Sequence, residues 1–142
     1  MKNTVITTLD KFILFLGHTF TGRNHDYSML KEEFPPDQDW FVELEVLVDL
    51  GYLGLQKDYA GEQLQVPTRK PRKSKANPEP KLTPEQKAAN RAISQIRIFV
   101  ENAIGGIKRY NILVHRFRNH TDDFEDTIIG ICAGLWNFTL SY

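Results

Sequence analysis

The chain has 142 residues, 41% of them hydrophobic, with 18 Lys and Arg balanced by 18 Asp and Glu. That length suits one domain with a real core and falls short of two ordinary ones. The longest apolar run, Ile128 to Trp136, is far below the ~20 residues of a membrane helix. The opening MKNTVITTLD has no apolar h-region, and Cys132 is the only cysteine. A membrane span, a secretory leader, an internal disulfide and a cysteine-rich zinc site are therefore not expected, and a reducing cytosol is.

The zero net charge is a cancellation. Residues 1–65 hold 5 Lys and Arg against 11 Asp and Glu, residues 66–118 hold 13 against 3, and residues 119–142 hold none against 4. A segment with so many cations is the electrostatic footprint of a polyanion binder. The competing reading is a solvated basic face paired with the protein's own acidic thirds.

In chain order, Thr4–Thr8 and Phe12–Leu16 are short β-branched and apolar runs around Leu9-Asp10-Lys11, which predicts a β-hairpin with a tight turn. Thr19 to Asn24 is loop. A short helix is expected from Asp26 to Glu33, capped by Asp26 and stopped by Pro35-Pro36. Val46-Leu47-Val48 then predicts a buried strand ending in Asp49, with a glycine-bearing turn, Gly51-Tyr52-Leu53-Gly54, directly after it. Gln63 to Val66 alternates and ends at Pro67, a second short strand. Residues 68–82 are rich in Lys, Arg, Pro and Ser and predict a flexible basic loop.

Thr83-Pro84-Glu85-Gln86 is a helix start, with Thr as N-cap, Pro at the first position and Gln at the third. Ile93, Ile96, Val100, Ile104 and Ile107 follow at helical spacing as one apolar stripe. Arg97, Glu101, Gly105 and Lys108 fall on the adjoining face, so Glu101 is expected at the border of the buried stripe. Gly105-Gly106 predicts close approach of another backbone, or a kink. A last helix is expected from about Asp122 to Leu140, with its acids in the first turn. Phe99, Tyr110, Phe117, Trp136 and Phe138 read as core aromatics. His18, His25, His115 and His120 have no metal-ligand spacing, and His25 reads as structural.

Glu101 is the sole acid between Gln86 and Asp122. An Asp at the end of a strand and a Glu on a helix across the sheet can converge on one spot. Converging carboxylates can hold divalent metal against phosphates, because magnesium prefers hard oxygen ligands. Two readings stand for each residue. Asp49 either caps its turn or holds a metal ion, and Glu101 either pairs with Arg97 one turn away or does the same.

The motifs VDLGYLG, LTPEQKAANRAISQIRIFVENAIGGIKRY and HRFRN, with GHTFTGRNHDYSML upstream, resemble insertion-sequence transposases of the DDE superfamily endonuclease type, related to Harbinger-type transposases. The similarity covers nearly the whole chain, in order. It implies an α/β, RNase H-like catalytic domain: a mixed sheet with flanking helices, here residues 1–142 with the 68–82 loop inside it. The family's Asp, Asp and Glu bind two Mg²⁺ or Mn²⁺ ions, hydrolyse a phosphodiester at a transposon end, and join the 3′-hydroxyl to target DNA. By position Asp49 matches the second acid and Glu101 the third. The resemblance also implies a cytoplasmic, nucleoid-associated bacterial protein. Arg69, Lys70, Arg72 and Lys73 are expected to contact DNA phosphates, and Arg97, Lys108, Arg109, Arg116 and Arg118 to extend that surface. The competing readings are solubilising charge for the loop, and pairing of Arg116 and Arg118 with the acids of the last helix.

The strand carrying the family's first Asp is expected upstream of Met1. Asp10, in a tight turn, is no substitute for it. This predicts an N-terminally truncated domain with exposed strand edges, marginal folding, and little nuclease activity alone. Partners expected are DNA and either the missing N-terminal segment or a homodimer partner. The alternatives are a non-catalytic DNA-binding remnant and the downstream half of a frameshifted transposase.

Overall fold

The computed structural model describes residues 1–119 and 121–142, so His120 lies outside the described residues. Two compact units are formed, one by Met1–Asn24 with Ile98–Tyr142 and the other by His25–Arg97.

In the first unit, strands β1 (Val5–Thr7) and β2 (Ile13–Leu16) pair antiparallel, with Val5 opposite Leu16 and Ile6 opposite Phe15. The hairpin stands where the apolar runs predict it. Its turn closes through Lys11 N–H donating to the Thr8 carbonyl at 3.1 Å. Lys11 adopts φ +68°, a left-handed conformation unfavourable for a residue with a Cβ. The indole N–H of Trp136 donates to the Lys11 carbonyl at 2.9 Å and holds that turn in place. Trp136 lies on the last helix, Phe124–Leu140, which begins two residues later than expected.

Asn137 on the same helix completes the edge of β2. Its Oδ1 accepts from Ile13 N–H at 2.8 Å and its Nδ2 donates to the Ile13 carbonyl at 2.9 Å. One carboxamide therefore satisfies both backbone groups of Ile13, as a neighbouring strand would. Asp126, in the first turn of this helix, accepts from Thr19 N–H at 2.6 Å. Around these anchors Ile13, Ala103, Ile107, Cys132 and Ala133 form the buried core, and burial pushes the Cys132 thiol pKa up.

The second unit begins with α1 (Asp26–Glu33), whose bounds agree with the sequence. Its cap does not: His25 is the N-cap, with Nδ1 accepting from Tyr27 N–H at 3.3 Å. Asp26 is the first helical residue instead, because the extended backbone a cap needs falls one position earlier. Strands β3 (Val46–Leu47) and β4 (Leu64–Gln65) pair parallel. β3 is half-buried rather than buried. A single 3₁₀ turn, Leu50–Tyr52, and a short helix α2, Leu55–Asp58, follow it. Leu55 has no solvent exposure and packs with Leu30, Phe41, Tyr59 and Leu64.

Helix α3 runs from Pro84 to Lys108. Its expected capping box is present: Gln86 N–H donates to Thr83 Oγ1 at 3.2 Å, and Thr83 N–H to Gln86 Oε1 at 3.0 Å. The most buried line on α3 passes through Ile93, Ala103 and Ile107, with Ala103 fully buried and Ile104 only half-buried. That rotation places Glu101 in solvent, not at the border of the stripe. Gly106 meets the Trp136 ring rather than a backbone, while Gly105 faces open space. The last helix, Phe124–Leu140, is then α4. Tyr110 and Trp136 pack on the core, and Phe117 stacks edge-on against Phe124. Phe99 and Phe138 do not belong to it; Phe138 is 60% exposed.

The class is mixed α/β, as expected, with four α-helices among the described residues. The strands pair in two separate two-stranded sheets. No helix among the described residues is long and apolar enough to cross a membrane.

Candidate functional site

β3 stops at Leu47 rather than at the acid, and Asp49, two residues beyond it, opens the turn that follows. Its Oδ1 accepts from Gly51 N–H at 2.7 Å, a cap in which a short carboxylate satisfies an otherwise orphaned donor. Both sequence readings of Asp49 thus remain compatible with its position. Its other oxygen, Oδ2, faces Arg97 Nη2 at 3.6 Å. Arg97 therefore pairs with Asp49.

A second carboxylate stands nearby. A Cβ added to Gly51 would lie 2.9 Å from Asp49 Oδ1 and 3.6 Å from Asp26 Oδ2. A side chain at Gly51 would crowd Asp49 and touch Asp26. Tyr52 lies beside them, and its hydroxyl pKa is pushed up to about 12, chiefly by burial and then by the charges of Asp26, Asp49 and Glu33. The sequence singled out Asp26 only as a helix cap. Its approach to Asp49 depends on how α1 packs against the turn.

That packing has a specific latch. Tyr27 donates its hydroxyl to Asp58 Oδ2 at 2.7 Å, and Lys31 Nζ reaches the same oxygen at 2.5 Å. Lys31 also lies over the Tyr27 ring, 4.7 Å from its centroid, and Gly54 is in tight contact with that ring. Lys31 first, and Tyr27 second, hold the Asp58 carboxyl below the usual carboxylate range. Burial and the same hydrogen bond push the Tyr27 hydroxyl well up. The latch ties α1 to α2 and so frames the turn that carries Asp49.

The basic loop is exposed and without regular structure from Arg69 to Pro78. Ser74 and Asn77 exchange two backbone hydrogen bonds and fold it back. Its start is pinned to α3, because the Asn90 side chain accepts from Thr68 N–H and donates to the Thr68 carbonyl, both at 2.8 Å. Lys70 and Lys73 line one open cleft of about 510 Å³ with Pro71, Pro78 and Lys81.

In the other unit, Glu101 and Lys108 are exposed on α3. Arg109 lies over the Trp136 ring at 5.9 Å. Arg116 and Arg118 line an open cleft of about 570 Å³ with His115 and Phe117. Asp49 and Glu101 thus belong to different units.

Among the described residues, no group of three or more His, Cys, Asp or Glu is placed to hold a metal ion. The donor chemistry of Asp49 does suit one: it is a hard carboxylate with a 38% exposed side chain, of the kind that magnesium and manganese take.

The DDE superfamily endonuclease family matches residues 1–137. A probable transposase for insertion sequence element IS702 from Microchaete diplosiphon is 32% identical over 129 residues. That match covers 91% of this chain and 42% of the relative, so the chain spans less than half of the relative's length. No solved structure matches. With the family matched from Met1 to Asn137, the chain belongs to the DDE superfamily endonucleases.

Proposed function

We propose that this chain supplies Asp49 and Glu101 as metal-holding carboxylates to a transposase-type DNA endonuclease and strand transferase acting at the ends of an insertion sequence. The family normally uses divalent metal ions. Such ions, when bound, activate the attacking oxygen and stabilise the leaving oxygen of a phosphodiester. The chain's own part is to hold and orient. Gly51 N–H fixes the rotamer of Asp49 at 2.7 Å, and the Tyr27–Asp58–Lys31 latch frames the turn behind it. Arg69, Lys70, Arg72 and Lys73, with Arg97, Lys108, Arg109, Arg116 and Arg118, take up DNA phosphates. The two small sheets and their helices are read as parts of one RNase H-like domain spanning residues 1–142.

The observation that carries this reading is the coincidence of the family match with Asp49's setting. The residue sits in the turn just after a strand, its carboxylate held by Gly51 N–H and still reachable from solvent. Two carboxylates hold a divalent ion more weakly than three, so cleavage by the chain alone is expected to be weak. A second reading, a DNA-binding remnant without chemistry, rests on the exposed basic stretch alone.

The test supplies the unmatched part of the IS702 relative in trans and measures Mg²⁺- or Mn²⁺-dependent cleavage of an element end. Cleavage is expected only with both pieces. It should fall at least ~100-fold in Asp49→Asn or Glu101→Gln, since even outer partners of metal ligands matter on that scale. Cleavage indifferent to both substitutions overturns the assignment. DNA binding without cleavage leaves the second reading.

A further inference from the structure

Arg97 sits where a cation is needed next to Asp49. Its Nη2 stands 3.6 Å from Asp49 Oδ2, while Asp49 Oδ1 is held by Gly51 N–H at 2.7 Å. The carboxylate of Asp26 also borders Gly51. The guanidinium beside Asp49 answers the charge of that carboxylate.

The contact is poorly suited to a stabilising role. Arg97 and Asp49 side chains are 39% and 38% exposed. Exposed pairs of this kind contribute little to folding. At 3.6 Å the pair is also longer than a charge-assisted hydrogen bond, which falls at about 2.7–2.9 Å. It is a loose, water-accessible pairing that can exchange its cation.

We propose that Arg97 is a resident counter-ion of Asp49, which a divalent cation must displace before Asp49 can ligate it. The inference rests on the reading of Asp49 as a metal ligand. It makes Arg97 a positioning residue that answers Asp49 first and a DNA phosphate after it. Without the metal ion it neutralises Asp49 and keeps that carboxylate turned towards α3. Once a divalent ion takes over that charge, the guanidinium is released to a DNA phosphate, for which its planar donor fork is well matched. Metal loading and DNA contact then share one side chain, so each favours the other.

The test measures Mn²⁺ binding to the full chain from the loss of the free-ion paramagnetic resonance signal. Arg97→Gln and Arg97→Ala are expected to bind Mn²⁺ about threefold to fivefold more tightly than wild type, the scale of removing one competing exposed pair. Arg97→Lys, which restores a cation, should return the affinity to within about twofold of wild type, taking a lysine pair as similar in strength. A structural defect would weaken binding instead, so tighter binding with rescue by Lys carries the proposal. Affinity unchanged or weakened in both neutral variants, with binding still lost in Asp49→Asn, overturns the counter-ion role and leaves Asp49 as a ligand. Binding that persists unchanged in Asp49→Asn overturns the ligand assignment, and the counter-ion role with it.

Discussion

At Asp58 a lysine ammonium and a tyrosine hydroxyl converge on one carboxylate oxygen. Lys31, the larger cause, and Tyr27 both favour the ionised form, so folding lowers this pKa. A lowered carboxyl pKa contributes stability that is complete above the unfolded value of about 3.9. That stability is lost as pH falls through the lowered native value. The urea midpoint of wild type should therefore exceed that of Asp58→Ala at pH 6, and the gap should close only below about pH 4. A gap that persists unchanged to pH 2 would assign the effect to packing of Tyr27 rather than to charge. At this same scale, Asp26 was legible as an acid at a helix start but not as a neighbour of Asp49. The first depends on adjacent residues, and the second on how a helix packs against a turn.

The start of α3 was readable because capping is local. Thr83 and Gln86 are three residues apart, and their reciprocal hydrogen bonds form wherever the backbone turns into a helix. The rotation of α3 was less readable. Periodicity placed Ile104 on the buried line, but Ala103 is the residue without exposure. A small residue marks the point of closest packing, and hydrophobicity alone underrates it. The glycine pair on α3 tests this directly. Gly106→Ala places a methyl group against the Trp136 ring and should cost about 1–3 kcal/mol, the usual range for overpacking. Gly105→Ala meets nothing and should stabilise by about 0.5–1 kcal/mol, because alanine loses less backbone entropy in a helix. Denaturant midpoints of the two variants should move in opposite directions. The short helix α2 was missed for a related reason: its four residues are too few to show a period.

For the molecule as a whole, the dominant pattern is the separation of charge along the chain. The exposed basic stretch should make DNA affinity depend steeply on salt, because each neutralised phosphate releases counter-ions. Replacing Arg69, Lys70, Arg72 and Lys73 together by Gln should reduce the slope of log affinity against log salt by about 2–4. An unchanged slope would return the loop to a solubilising role. The order of charges, the start of α3 and the hairpin were all set by the chain of residues itself. Each depends on neighbours within a few positions, or on the identity of single side chains. Tertiary structure alone decided that Asn137 completes the edge of β2, that Trp136 fills the space at Gly106, and that Arg97 answers Asp49. These contacts join residues far apart in the chain. Whether such residues meet depends on packing and backbone direction, which no local period encodes.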